Sequence, residues 1–208
     1  MWSTVMNGIV LGFVASPTCP SNGEEIKQGT RWGFLFALAV GLGAVVGDAI
    51  ILIAVLLGFM PLIEAYPVLH SILWLMGGLV LLYVSWGIFT EIRHVEGVSA
   101  MASTTETEKS YFWKAFGIGT AITTFNPFTI VWWIGLLSPM LAGSNNISLF
   151  SAAVLAGSLA WFVLLALLLH AGRSFLNKKM RQLIIGTSGC VVFGYSLYFL
   201  WQFIVNLI

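Results

Sequence analysis

Charge is scarce in this sequence: 8% of its 208 residues are Asp, Glu, Lys or Arg, against 59% that are hydrophobic. A soluble domain of this length needs far more charge to cover its surface, so a soluble fold is excluded. A net charge of +1 leaves no basic footprint for a nucleic-acid partner. Cysteine is nearly absent. Cys19 and Cys190 both fall in apolar segments and give no sign of an extracellular disulfide framework. Histidine is equally scarce, and His70, His94 and His170 sit at the ends of apolar runs or in a loop, so no His-rich metal tract exists. The first apolar stretch lacks the basic n-region of a signal peptide. It runs into Pro17-Thr18-Cys19-Pro20, a poor cleavage site, and is expected to be a retained first span.

What the chain does have is apolar length. From Ala115 to Gly172 there is no Asp, Glu, Lys or Arg. As one helix that stretch is roughly 87 Å long, almost three hydrocarbon thicknesses. It must fold back, and Ala142-Gly143-Ser144-Asn145-Asn146 is the turn-like patch within it. Apolar windows place six transmembrane helices near 3–27, 32–58, 69–90, 113–141, 147–170 and 183–206. All nine basic residues then fall on one side: Lys27 and Arg31 after the first span, Arg93, Lys109 and Lys114 around the third connection, and Arg173, Lys178, Lys179 and Arg181 before the last. The positive-inside rule makes those connections cytoplasmic and puts both termini outside. Gly97–Ser110, rich in Ser, Thr, Ala and Glu, reads as a flexible linker.

The two halves resemble each other. Gly12 and Pro20 are spaced as Gly119 and Pro127 are; Gly47-Asp48 corresponds to Gly157-Ser158; Gly78 and Ser85 match Gly189 and Ser196 at one offset. Three spans per unit is an odd number, so a second copy must enter the membrane inverted, the plan of many secondary transporters. The expected fold is therefore an all-α integral membrane protein of two inverted three-helix repeats. The first occupies 1–92, a cytoplasmic linker 93–112, and the second repeat 113–208.

Spans one and four are each broken by proline, at Pro17-Thr18-Cys19-Pro20 and at Asn126-Pro127. Proline removes a backbone donor, and in lipid the freed carbonyls need a neighbour, water or ligand. One such break is as readily a packing kink as a site; two at matching repeat positions point to a transport site, where half-helix N-termini face an anionic group. The stretch Ser21-Asn22-Gly23-Glu24-Glu25-Ile26-Lys27 either lines a water-filled vestibule or has already emerged as a solvated helix end. Asp48 is the one charged residue well inside a span on any choice of boundaries. A charged Asp there costs roughly 2.5–3.5 kcal/mol, so it is either a hydrogen-bonded structural group or a functional one.

These motifs resemble the LysE/RhtB family of amino-acid exporters. The resembling pieces are Gly8–Pro20, Glu24-x-x-x-x-Gly29-x-x-x-Gly33, Gly41-x-Gly43-x-x-x-Gly47-Asp48, and Phe116-x-x-Gly119 leading to Asn126-Pro127. The likeness spans nearly the whole chain. It departs from the family's Pro-Gly-Pro break, here Pro17-Thr18-Cys19-Pro20, and from its Asn-Pro-Lys, here Asn126-Pro127-Phe128. The resemblance implies a bacterial inner-membrane protein that exports amino acids or related metabolites in exchange for protons. On that basis Pro17, Cys19, Pro20, Asn22, Asn126 and Pro127 are expected to bind substrate. Asp48 is the expected coupling carboxylate, with Glu24 and Glu25 next in line. The expected partners are a small-molecule substrate and the lipid bilayer, and a homo-oligomer is compatible with the pattern. No cofactor, metal or enzymatic activity is expected. Two competing readings are a divalent metal or cation exporter using Asp48, Glu24, Glu25 and Cys19, and a transmembrane thiol–disulfide carrier using Cys19 beside Pro20. The second lacks a cysteine beside Pro127.

Overall fold

The computed structural model describes residues 2–57, 67–92, 105–133, 147–172 and 178–207. The turn expected at Ala142–Asn146, most of the connection at Pro61–Pro67, and Arg93 and Arg173 lie outside the described residues. Within them the chain is helical apart from its turns. The helices are α1 (Trp2–Ala15), α2 (Ser21–Arg31), α3 (Phe34–Leu56), α4 (Pro67–Ile92), α5 (Thr105–Thr124), α6 (127–133), α7 (Ile147–Gly172) and α8 (Lys178–Leu207). Three stretches, Phe34–Leu56, Ile147–Gly172 and Gln182–Val205, are long and apolar enough to cross a membrane, and α4 carries the shorter apolar stretch Trp74–Thr90.

Burial is inverted relative to a soluble protein. Trp86, Leu183 and Trp201 are each more than 60% exposed, whereas Glu24 and Glu25 have no exposed surface at all. An exterior this apolar, with carboxylates kept inside beside an apolar core, is stable only in an apolar solvent. The described residues are those of an all-helical membrane protein. α1 illustrates the sorting. Met6, Val10 and Val14, spaced by four, face outward, and Gly8 and Gly12 face inward.

Glycine sets the closest approaches. Gly12 of α1 lies against the carbonyl of Val154 on α7, and Gly157 of α7 against that of Ile9. The α3–α5 interface repeats this arrangement: Gly119 lies against the carbonyl of Val40, and Gly43 against that of Phe116. A methyl group at any of the four runs into a neighbouring backbone, so the helices can pack this closely only with glycine there. Gly47, one helical turn after Gly43, lies instead against Thr123 and the carbonyl of Thr120. On α4 and α8, Gly78 faces Leu200 and Gly189 faces Phe89, and Ser196 Oγ donates to the carbonyl of Gly78 at 2.9 Å.

The linker expected over Gly97–Ser110 is in part helix, because α5 already begins at Thr105. From Ala102 onward the segment has no Gly or Pro, and Glu106 and Glu108 favour a helix N-terminal turn, so polarity there does not imply a loop. At the other junction, α2 turns into α3 through Gly33, whose φ of 96° is disfavoured for residues with a Cβ. Its N–H reaches the carbonyls of Gln28 and Gly29, closing α2.

Candidate functional site

The first span breaks where Pro17 and Pro20 deny the helix its donors. Ser16–Thr18 tighten into one 3₁₀ turn, Cys19 is extended, and α2 starts afresh after Pro20. The carbonyls released by the break do not wait for a ligand. Asn22 Nδ2 lies 2.8 Å from the Ser16 oxygen, 3.0 Å from that of Pro17 and 2.7 Å from that of Cys19. Asn22 Oδ1 in turn accepts from Trp161 Nε1 of α7 at 2.9 Å. Every polar atom of the Asn22 side chain is thus occupied in bracing the break.

The second break is simpler. α5 ends at Thr124, and Pro127 opens α6 at the position where a missing N–H costs least. Asn126 caps it: its Oδ1 accepts from Phe128 N–H at 3.0 Å, and its carbonyl accepts from Thr129 N–H at 3.0 Å. Pro127 itself packs against Gly77 of α4.

Both breaks open on one cavity of about 420 Å³. The first break contributes Ser16, Thr18, Cys19 and Pro20 to its wall, and the second contributes Asn126, Phe128, Thr129 and Trp132. Asp48 enters from α3, Ser158 and Phe162 from α7, and Tyr195 from α8. Trp133 Nε1 lies 3.4 Å from Asp48 Oδ1 and holds that carboxylate in place. Ser21 Oγ donates to Cys19 Sγ at 3.0 Å, and the Tyr195 hydroxyl lies 3.4 Å from the Thr18 carbonyl. Asp48 is the one charged side chain among the described residues of the wall.

Of the residues expected from sequence, Cys19, Pro20, Asn126 and Asp48 meet on the wall. Pro17, Asn22 and Pro127 stand behind it, shaping backbone that the wall presents. Glu24 and Glu25 lie neither in this cavity nor in solvent. Both are fully buried in α2. Glu24 Oε1 pairs with Lys27 Nζ at 2.6 Å and accepts from Gln28 Nε2 at 2.7 Å, while neither oxygen of Glu25 has a hydrogen-bond partner. That burial fits neither reading of Glu24 and Glu25, as the lining of a water-filled vestibule or as a solvated helix end. α2 packs against α3, α7 and α8, and that packing removes its polar face from water.

Thr129, Ser158, Phe162 and Tyr195 were not anticipated. Thr129 could have been found, since it lies one turn beyond Asn126 on the same face, and Ser158 follows the close-packed Gly157. Phe162 and Tyr195 carry no distinguishing signal in a chain this rich in aromatics. Among the described residues no three His, Cys, Asp or Glu side chains come together, and Cys190 sits exposed on α8, so Cys19 has no thiol partner on the wall.

Known proteins supply the remaining evidence. The candidate amino acid efflux protein YcgF of Bacillus subtilis (strain 168) is 28% identical over 207 residues, covering 96% of both chains. An arginine exporter, ArgO of Pectobacterium carotovorum subsp. carotovorum (strain PC1), is 28% identical over 207 residues, covering 95% of this chain and 96% of its own. A second Bacillus subtilis (strain 168) protein, the candidate amino-acid transporter YisU, is 26% identical, covering 95% of this chain and 89% of its own. No solved structure matches the chain. The LysE type translocator model matches residues 12–202, which takes in both breaks, Asp48 and all of the cavity wall. The chain thus belongs to the LysE type translocator family and is a transporter, not an enzyme.

Proposed function

We propose that this chain is a secondary transporter that exports an amino acid or a similar small zwitterion across a bacterial inner membrane in exchange for protons. The observation that carries this reading is the meeting of Asp48, Asn126 and the head of α2 on one cavity wall. A zwitterion brings an ammonium and a carboxylate. The ammonium complements Asp48, and the carboxylate complements the Asn126 amide and the positive end of α2 at Cys19-Pro20. The names of the relatives, amino acid efflux and arginine export, support the same substrate class.

The proposed architecture is six spans in two inverted units, 1–92 and 113–208. Its support is the exchange of interfaces. Swapping the first three spans for the last three converts the α1–α7 glycine contacts into those of α5 with α3, and the Gly78–Leu200 contact into Gly189–Phe89. With the basic connections cytoplasmic, both termini lie outside; a cysteine placed at Ser144 that labels only from the cytoplasmic side reverses this orientation.

Asp48 is the proposed coupling group, exchanging substrate ammonium for a proton, with Glu24 and Glu25 second in line. The test is efflux of labelled amino acids from proteoliposomes under an imposed proton gradient. Asp48→Asn keeps the shape and removes the titrating group, so gradient-driven accumulation should vanish. If Asp48→Asn still concentrates substrate with only a proton gradient to drive it, Asp48 is structural.

A further inference from the structure

We infer that the cavity selects amino acids with uncharged, branched or aromatic side chains and disfavours arginine and lysine. This rests on the amino-acid reading above and narrows it. The pairing is local, group by group, with the substrate carboxylate already placed at the Asn126 amide and the head of α2. Asp48 is the one charged side chain among the described residues of the wall, and Cys19, Thr18, Ser16, Asn126 and Tyr195 supply only neutral polar atoms. The α-ammonium common to every amino acid engages that carboxylate. A second cation at the end of a long side chain then finds no counter-charge, and a buried charge without a partner is strongly disfavoured.

The wall has a place for an apolar side chain. Away from the polar break it is built from Phe128, Val131, Trp132 and Phe162. Phe162 is held rigidly, with 1% of its surface exposed and its Cβ against Gly41 of α3. Phe128 is stacked on Tyr198 at 5.6 Å, with an interplanar angle of 12°. Trp132 meets Trp133 edge-on at 5.1 Å, which sets its ring beside the residue that holds Asp48. An apolar side chain projecting from an α-carbon near Asp48 therefore meets fixed aromatic surface, the arrangement that favours Leu, Ile, Val or Phe. Size does not decide the matter. At about 420 Å³ the cavity has room for arginine, so its rejection is electrostatic.

The experiment is competition against [³H]leucine counterflow in proteoliposomes of the purified protein, using leucine, phenylalanine, alanine, lysine and arginine. Leucine and phenylalanine should compete at least about tenfold better than arginine or lysine. Trp132→Glu adds a second carboxylate at the most tolerant point of the apolar wall, because Trp132 is only partly buried. It should lose leucine preference and gain competition by arginine. Arginine competing as well as leucine at the wild-type protein overturns the selectivity while leaving the transport reading intact. If no amino acid supports or inhibits counterflow, the amino-acid reading and this inference fail together. The wild-type panel decides the point even if Trp132→Glu does not fold.

Discussion

The two helix breaks face the same cavity and solve the same backbone problem in opposite ways. At the first, a side chain downstream of the break reaches back: Asn22 gathers the carbonyls of Ser16, Pro17 and Cys19, and Trp161 holds Asn22 from α7. At the second, a residue inside the break caps forward, with Asn126 taking the Phe128 amide. The helix after the first break is polar and buries Glu24, Glu25 and Lys27; the helix after the second is apolar from Phe128 to Trp133 but for Thr129. The difference separates two jobs that look alike in sequence. Asn22 is committed to holding the fold, whereas Asn126 spends one oxygen on a cap and still stands on the cavity wall.

Substitution can break this contrast, and the largest effect should come from Asn22→Leu. It removes the donor that the Pro17 carbonyl takes from Asn22, leaves the Ser16 and Cys19 carbonyls with only their backbone donors, and leaves the Trp161 N–H unpaired, a loss of about 3 kcal/mol or more where water cannot substitute. Thermal melting in detergent should show a large drop and little folded protein should be recovered; a stable, well-folded Asn22→Leu protein makes the brace superfluous. Asn126→Ala should be milder in stability, about 1 kcal/mol for a lost cap. Transport per folded molecule should nevertheless fall about tenfold, the equivalent of one good hydrogen bond to substrate. Equal losses of folded protein and of transport would mean the second break is a kink and nothing more. Cys19→Ser should matter least. A serine hydroxyl keeps the contact with Ser21 Oγ, so counterflow should stay within about twofold of wild type. A Cys19–Cys190 disulfide that cycles during turnover would contradict both the geometry and this expectation.

The sequence made the helices legible because apolar runs with one-sided basic loops admit few foldings. The expected windows at 32–58, 69–90, 147–170 and 183–206 fall on α3, α4, α7 and α8. The breaks were legible because proline chemistry is local. What proline could not reveal is which neighbour satisfies the freed groups. Asn22, two residues after Pro20, and Asn126, just before Pro127, have the same side chain near a break, and the contacts from Trp161 and the wall tell them apart. The start of α5 was hidden by polar residues that are also good helix formers. The register of α3 was ambiguous for a different reason. Gly43 and Gly47 are spaced by one turn, and only packing shows that Gly43 lies against the Phe116 carbonyl and Gly47 against Thr123.

The glycine contacts described for α1 with α7 and α3 with α5 also say where this sequence is free to wander. At Gly12, Gly43, Gly119 and Gly157 the adjoining backbone leaves no room for a methyl, so drift there is closed to every other residue. Two or three residues away, Val10 and Val46 turn much of their surface to the apolar surroundings, where one aliphatic side chain serves as well as another. Descendants of this chain can therefore lose most of their identity along the outward faces while four small residues keep the helices in register. An alignment that scores all apolar positions alike will underweight the positions that matter most to the fold.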